Sequence, residues 1–507
     1  MPYRGFTVAV AAVTVLLCVP ATWAAAPDGG TADGVTVQGG GPGPANPPTG
    51  SPDDHPDDHP SNHPDDGPDD RFGPGAAGAG DPYLPEAGNG GYRVGRYDLR
   101  LSYDPTTRRL VGTAVLDAVA TQNLARFDLD LRPSLRVRSV LVDGLPASVR
   151  RSGQEVIVTP RVRPRSGWPF TVTVAYQGTP GPVVDPDGVS DGWIPTDDGA
   201  FVAGAPQGAP TWFPCDDHPG DKATFTVSMT VPNGIVAVGN GTLVSRSVHA
   251  GQTTFVWHTA RPMAAHLATI TLGRFQVSRS VTPSGIPVYL AVDPREAAAA
   301  RPVLARLGEI VDYQRTVFGP YPFDTVGAIV DDAHFVGYAL ETQSRPVFDR
   351  APSVAGLVHE LAHQWFGASV SPARWQDVWL TEGFATYAEW LWSEHSGGPT
   401  ARQLFDRAYA APATDTHRWN PPPGDPGGPA HLFDGSVYQR GAMTLQVLRD
   451  RVGDDTFFRI LRDWTSQHRY GTATTADLVA LAERDSGLDL GPLFDSWLFQ
   501  PGKPARG

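Results

Sequence analysis

The first half of the chain alternates between apolar and polar positions, the pattern of strands that bury one face. The pattern occurs between about Pro82 and Arg279, and turn-forming residues such as Asp104-Pro105 separate its stretches. Such a succession of short strands predicts a large antiparallel sheet or sandwich over residues 83–284. The alternating apolar positions are Tyr97/Leu99/Leu101/Tyr103, Phe127/Leu129/Leu131, Phe170/Val172/Val174/Tyr176 and Phe225/Val227/Met229/Val231.

From about Gly285 the pattern becomes typical of helices. Apolar residues recur at intervals of three and four over 354–365, which predicts a helix with one buried face. Ser353 is placed to cap the start of this helix and Gly367 to end it. The chain is therefore predicted to be α+β, with the β domain at 83–284 followed by a mainly helical domain at 285–507. Further helices are predicted at 297–317, 381–395, 441–452, 455–467 and 475–484.

The N-terminus has the order of a secretory signal peptide. Arg4 precedes an apolar run over 6–19, and small residues follow at 24–26. The apolar run is too short to span a membrane in the mature protein. We therefore expect cleavage near Ala26 and a secreted protein with no transmembrane span, and we regard a retained N-terminal anchor as the weaker alternative.

Residues 27–82 form a tract of Gly, Pro, Asp and His, which predicts a disordered linker because it contains too little apolar surface to fold. The tract holds eleven Asp and one Arg, so it accounts for −10 of the net charge of −14. Its three His are expected to lie in a solvated spacer rather than to form a metal site. The rest of the chain shows no basic run, so nucleic-acid binding has no support.

The predicted helix over 354–365 carries two His four residues apart, His359 and His363. That spacing places both side chains on one face, with Cβ atoms about 6 Å apart, and allows both imidazoles to reach one Zn²⁺ at about 2.0–2.1 Å. Glu360 is offset by one position, where it can act on a water molecule instead of ligating the metal. The motif alone does not decide the function, because it also occurs by chance.

A catalytic zinc needs a third protein ligand and one open position. Glu382 follows His363 by eighteen intervening residues and lies at the start of the second predicted helix, which can pack antiparallel against the first. Two His and one Glu form the ligand set of thermolysin-type zinc hydrolases. We therefore predict one Zn²⁺ per chain, held by His359, His363 and Glu382.

The segments around these ligands closely resemble the aminopeptidase N family of zinc metallopeptidases. The resemblance rests on HELAHQWFG at 359–367 and WLTEGFA at 379–385, with WFPCDDHP at 212–219 and the stretch at 470–475 in support. It covers most of residues 83–507. It implies a saddle-like β domain followed by a thermolysin-like catalytic domain, which agrees with the change of pattern near Gly285.

The resemblance also implies how a free N-terminus is recognised. The family places a Gly-Ala-Met-Glu-Asn motif before the zinc helix, and YALET at 338–342 matches it with three substitutions. Glu341 is therefore the expected anchor for the substrate's α-ammonium, since a buried cation needs a carboxylate partner. Gln207, upstream of FPC at 213–215, is the expected second contact with the amine.

The family's oxyanion donor is a Tyr in a Tyr-Glu-Lys-Gly motif, which YQRG at 438–441 matches around the Tyr. Tyr438 is accordingly expected to stabilise the tetrahedral oxyanion. Glu360 is expected to take a proton from the attacking water and to deliver one to the leaving amine.

Together these features predict a secreted zinc aminopeptidase that removes N-terminal residues from peptides through a metal-activated water. A secreted thermolysin-like endopeptidase, a non-catalytic peptide-binding module and a dual-function hydrolase resembling leukotriene hydrolase are the alternatives. We expect a short form of the family without its large C-terminal helical domain, and with a more open site. Side-chain preference and oligomeric state are left open.

Overall fold

A computed structural model describes residues 71–506. The predicted signal peptide, 1–26, and the linker up to residue 70 lie outside the described residues, as do the three His of the linker. The strands are, in chain order, β1 Gly73–Pro74, β2 Tyr92–Asp104, β3 Arg109–Ala120, β4 Leu124–Arg126, β5 Leu135–Val142, β6 Leu145–Pro146, β7 Ser148–Ser152, β8 Glu155–Thr159, β9 Pro169–Gly178, β10 Pro182–Val184, β11 Ser190–Pro195, β12 Ala200–Ala203, β13 Lys222–Pro232, β14 Val236–Gly239, β15 Thr242–His249, β16 Gln252–Ala264, β17 Ile270–Gly273, β18 Gln276–Val281, β19 Pro287–Val292, β20 Val326–Val330, β21 Ala339–Leu340, β22 Val347–Phe348, β23 Ser371–Pro372 and β24 Thr472–Ala473.

Two large sheets make up most of the β region, beside the two-stranded pairs β1–β4 and β7–β8. The first has eight strands in the order β15-β16-β13-β2-β3-β9-β5-β6, and the second has five in the order β10-β11-β12-β17-β14. Neighbouring strands are antiparallel except β2 and β13. Along β2 and β13 alternate residues are buried, so the period of two read from the sequence corresponds to one core-facing side.

A third sheet begins the mainly helical region, with strand order β18-β19-β20-β22-β21. It starts at Gln276, ahead of the boundary predicted between residues 284 and 285, because β18 pairs with β19 rather than with the β region. The helices that follow are α1 Ala297–Leu304, α2 Leu307–Phe318, α3 Val354–Ala362, α4 Trp379–His395, α5 Ala401–Tyr409, α6 Thr416–Trp419, α7 Gly435–Val452, α8 Asp454–Gln467, α9 Thr475–Ser486 and α10 Gly491–Phe494.

Three details differ from the sequence-based expectation. The segment around Leu129 is buried and makes only isolated bridges at Phe127 and Asp130, so it is not a regular strand. The helix predicted over 297–317 is two helices, α1 and α2. The zinc-motif helix α3 ends at Ala362 and continues as a turn, so Gly367 lies within that turn and does not end the helix.

The linker prediction is wrong at its C-terminal end. Residues 71–82 belong to the folded part, where β1 pairs with β4. Asp81 is 2% exposed and accepts hydrogen bonds from the backbone N–H groups of Tyr83, Leu84 and Trp375. A carboxylate that accepts three backbone hydrogen bonds stabilises a fixed local conformation, although the composition around it is typical of a linker.

The β region and the helical region share contacts that position the metal motif. Lys222 of β13 is half-buried. Its Nζ donates to the carbonyls of Ala368 and Ser369, in the turn that follows α3, and to that of Gly471. These bonds fix the C-terminal side of the zinc-motif turn against the β region. Among residues 71–506, no helix is both long and apolar enough to cross a membrane.

Candidate metal centre

The two His of the motif project from α3 toward the start of α4. Ser353 caps α3, with its Oγ accepting from the Gly356 N–H at 3.0 Å, which satisfies a donor that the first turn leaves unpaired. The imidazole rings of His359 and His363 lie with centroids 4.7 Å apart. Glu382 lies in the first turn of α4, which packs on α3.

The donor atoms of these three residues converge. His359 Nε2 and His363 Nε2 lie 3.3 and 3.4 Å from the same oxygen, Glu382 Oε2. Bonds of about 2.0–2.1 Å in tetrahedral geometry separate ligand atoms by about 3.3–3.4 Å, so the spacing suits one zinc ion. All three donors lie within 4.8 Å of one another. The residues present therefore fit the metal that the sequence predicts.

The other nitrogen of each imidazole is held by a different partner. His359 Nδ1 lies 2.8 Å from Glu389 Oε1, and His363 Nδ1 lies 3.0 Å from the carbonyl of Phe366. Such contacts fix the tautomer and the ring orientation, and leave Nε2 for the metal. Glu389 was not predicted from the sequence, although its position seven residues after Glu382 places it on the same face of α4.

Electrostatics around the three donors favour a cation. Burial alone would raise the pKa of Glu382, but His363 and His359 lower it to about 2. Burial would likewise lower the pKa of His363, and the carboxylates of Glu382 and Glu341 raise it to about 9. The same negative field that favours protonated imidazole favours a divalent cation in its place.

Glu360 lies beside the donors without joining them. It is 8% exposed, and its Oε2 is buried with no hydrogen-bond partner among the described residues. Burial raises the pKa of its carboxyl to about 7. An unpaired buried carboxylate is costly, so it indicates a group kept available for a reacting molecule.

Glu341 reaches the same site from the edge strand of the third sheet. It directly follows β21, which pairs antiparallel with β22. Its carboxylate lies within 4.8 Å of ligand atoms of Glu360 and His363, and it is 9% exposed. Burial raises the pKa of this carboxyl.

Gln364 of the α3 turn fixes the backbone of the Glu341 segment. Its Oε1 accepts from the Ser344 N–H at 2.6 Å, and its Nε2 donates to the Glu341 carbonyl at 3.5 Å. Ser344 has φ +68°, a conformation that a serine rarely adopts unless its surroundings require it. The zinc helix and the predicted amine anchor are thereby tied to each other.

Tyr438 lies in the first turn of α7, which begins at Gly435 and not at Gly441 as predicted. Its ring faces that of His359, with centroids 6.0 Å apart and an interplanar angle of 22°. Helices α4 and α7 approach closely here, because a Cβ on Gly383 would lie only 3.0 Å from Gly441 Cα. The close approach brings Tyr438 to the edge of the metal centre.

Gln207 is held by residues of the second sheet. Its Nε2 donates to Asp185 Oδ1 at 3.2 Å, and its N–H donates to Asp191 Oδ2 at 3.1 Å. Tyr338, three residues before Glu341, contacts the same sheet, since its Oη donates to the Ser190 carbonyl. The predicted contact of Gln207 with a substrate amine remains a prediction.

Two family models match successive parts of the chain. The peptidase M1 N-terminal domain matches residues 200–267, and the peptidase family M1 domain matches residues 338–497. Aminopeptidase M1 of Arabidopsis thaliana is 28% identical over 325 residues, which cover 59% of this chain and 36% of that protein. Human glutamyl aminopeptidase is 26% identical over 323 residues, 59% of this chain and 34% of that protein. The matched part thus spans about a third of the length of these curated relatives.

Solved structures are similar over a larger share of the chain. The M1 zinc metallopeptidase of Deinococcus radiodurans, as a mutant bound to a Tyr-Ser-Ala substrate, is 28% identical with a TM-score of 0.78, covering 85% of this chain and 100% of that chain. A structure of the same enzyme without a stated substrate also gives a TM-score of 0.78. The α+β arrangement predicted from the sequence is confirmed by this likeness. The chain therefore belongs to peptidase family M1, the aminopeptidase N family of zinc metallopeptidases.

Proposed function

We propose that this protein is a zinc-dependent aminopeptidase that removes N-terminal residues from peptides. The observation that carries the proposal is the position of Glu341, a nearly buried carboxylate within 4.8 Å of Glu360 and His363. A zinc endopeptidase has no use for a buried carboxylate at that distance, whereas an aminopeptidase needs one to pair with the substrate's ammonium.

Charge balance supports the same proposal. Glu341, Glu360 and Glu382 bring three nearly buried carboxylates into one small site. With both ligating imidazoles neutral, one divalent metal ion and one substrate ammonium would neutralise all three. Buried charges that are paired in this way avoid the penalty that isolated ones carry.

Zinc, when bound, supplies a Lewis acid that polarises the scissile carbonyl and makes a water molecule more acidic. Glu360, with its unpaired oxygen at the metal centre, is placed to take the proton of the attacking water and to hand it to the departing amine. Tyr438, whose ring faces that of His359, would donate its hydroxyl to the developing oxyanion. Glu341 selects the bond by holding the ammonium one residue away from it.

Mass spectrometry of a peptide with a free N-terminus tests the proposal. The purified protein should release residues one after another from the N-terminus, lose this activity to a zinc chelator and regain it with added Zn²⁺. Internal cleavage products appearing before any N-terminal loss would instead establish an endopeptidase. No cleavage by zinc-replete protein would support a binding module.

We further propose that the protein is exported. The support is the charged, apolar and small-residue order of its first 26 residues. Expression with its own N-terminus should yield mature protein outside the cell that begins near residue 27. Full-length protein retained in the cell, or held in the membrane fraction, would contradict export with cleavage.

A further inference from the structure

One segment of the β region is rich in arginine without forming a contiguous basic run, on a chain that is acidic overall. Residues 126–165 contain nine Arg and four acidic residues, whereas the whole chain carries a net charge of −14. Three of the four acidic side chains, Asp128, Asp130 and Glu155, are buried. The positive charge of the segment is therefore left on the surface, with little acidic charge beside it.

Part of this segment lines an open groove of about 690 Å³ between β5 and β7. Four Arg and a set of small or branched apolar side chains form its walls. Arg151 is used internally, because its guanidinium donates to the carbonyls of Leu131 and Leu135. The lining residues are Arg136, Val137, Arg138, Ser139, Val140, Leu141, Pro146, Ala147, Val149, Arg150, Arg151 and Val156.

The three other arginines, Arg136, Arg138 and Arg150, are exposed. Within residues 71–506 they have no ion pair, hydrogen bond or aromatic partner. Other exposed arginines of the described residues do form ion pairs, as Arg295 and Arg402 do. Three unpaired guanidinium groups along one groove are suited to carboxylates of another molecule.

The backbone of the groove is also available for pairing. β5 pairs with β9 on one side. On its other side β6 pairs with Leu141 and Val142, the Val140 carbonyl accepts from the Ala147 N–H, and the Leu135 carbonyl accepts from Arg151, so the open part of this edge is residues 136–139. β7 pairs only with β8, and all five of its residues are exposed. Strand edges left open in this way accept an additional strand.

We propose that the groove between β5 and β7 binds an extended acidic peptide segment, which pairs with the open edge of β5 and places its carboxylates on Arg136, Arg138 and Arg150. Alternate apolar side chains of the peptide would contact Val137 and Val149. A nucleic acid fits the groove less well, since no aromatic side chain lines it to stack on a base. The site is separate from the metal centre and does not depend on the proposed peptidase activity.

Fluorescence anisotropy with a blocked peptide tests the proposal. The probe is a labelled, N-acetylated peptide of alternating Asp and Val, about ten residues long so that it extends beyond residues 136–139 of β5 at both ends. The acetyl group removes the free amine, so that the metal centre has no ammonium to hold. We expect binding that weakens at least about tenfold between about 50 and 500 mM NaCl, because exposed charge pairs are screened by salt.

Charge-reversal variants localise the binding. R138E/R150E should weaken binding by about tenfold or more, R138K/R150K should retain most of it, and R407E, an exposed reversal on α5, should leave it unchanged. Each variant is compared for thermal unfolding with the unsubstituted protein. Equal binding by R138E/R150E, or an equal loss in R407E, would overturn the proposal.

Two further probes separate peptide recognition from simple charge attraction. A peptide with Asn at every Asp position should bind at least about tenfold more weakly, and a single-stranded oligonucleotide of similar charge should not compete. Hydrogen exchange at residues 136–139 should slow when the acidic peptide is bound. Equal binding of the Asn peptide, competition by the oligonucleotide or unchanged exchange on β5 would each contradict strand addition by an acidic peptide.

Discussion

Glu389 orients the ring of His359, because its Oε1 lies 2.8 Å from His359 Nδ1, on the side of the ring opposite Glu382. The two carboxylates come from one helix, α4, so a single element provides both a predicted ligand and the group that orients another ligand. The metal centre therefore depends on the register of α4 as well as on the motif of α3.

Replacing Glu389 with Ala should weaken zinc binding by about 10- to 100-fold, since the imidazole of His359 loses its orienting partner. Competition with a chelator of known affinity measures this change, and excess Zn²⁺ should restore activity. Glu309→Ala, on exposed α2 surface, provides the matched control. A zinc affinity within twofold of the unsubstituted protein would show that Glu389 does not support the site.

Replacing Glu360 with Gln should lower kcat by about 10²- to 10⁴-fold, because the amide keeps the shape of the side chain but cannot accept the proton. Zinc content should stay at one per chain, as measured by metal analysis of the purified variant. Activity close to that of the unsubstituted protein would exclude Glu360 as the base.

Replacing Gln364 with Ala should impair substrate binding rather than metal binding. The change removes the acceptor of the Ser344 N–H and the contact with the Glu341 carbonyl, and so frees the segment that carries the predicted amine anchor. We expect kcat/KM for free-amine substrates to fall by about tenfold, mainly through KM. Loss of zinc from this variant would indicate that Gln364 supports the metal site instead.

The zinc helix and its cap could be predicted because their signals are local. Spacing of four places His359 and His363 on one face, and Ser353 precedes the first turn. Glu382 was found because it lies at the start of the next predicted helix, which can pack antiparallel against the first, and completes a ligand set of two His and one Glu. The partners of these residues, Glu389 and Gln364, were missed because their roles depend on how α3, α4 and the third sheet pack.

The wrong prediction at the C-terminal end of the linker has the same origin, because it too depends on contacts between distant parts of the chain. The composition around Asp81 is typical of a linker, yet this carboxylate is buried against Trp375, which lies far along the chain.

Arg440 differs from the Lys of the family motif, and its role is visible only in the fold. Its guanidinium donates to the carbonyls of Trp497 and Gly502, among others. These bonds hold residues 497–502 against α7, the helix that carries Tyr438.

Glu155, a buried acidic residue of the β region, should make the free energy of unfolding depend on pH. Neither oxygen of Glu155 has a hydrogen-bond donor among the described residues, and burial together with Asp130 raises the pKa of its carboxyl to about 9. The folded protein keeps this proton while the unfolded chain releases it near its ordinary pKa of 4.5. The free energy of unfolding should therefore fall as pH rises from about 4.5 to about 9.

Glu155→Gln should make that fall smaller, because an amide does not titrate. Chemical unfolding at several pH values measures the free energy of unfolding for both proteins, with Glu86→Gln as the exposed control. A parallel decline of the unsubstituted protein and Glu155→Gln between pH 5 and pH 8 would contradict this account of Glu155.

The most direct measurement of the central claim compares a fluorogenic aminoacyl amide with its N-acetyl form, for the unsubstituted protein and for Glu341→Gln. Only the free-amine substrate should be cleaved, and Glu341→Gln should reduce its kcat/KM by about 10- to 100-fold, the value of a hydrogen bond to a charged group, with zinc content unchanged. Equal cleavage of the free and acetylated substrates, or full activity of Glu341→Gln on the free amine, would contradict the claim that Glu341 makes this zinc site an aminopeptidase.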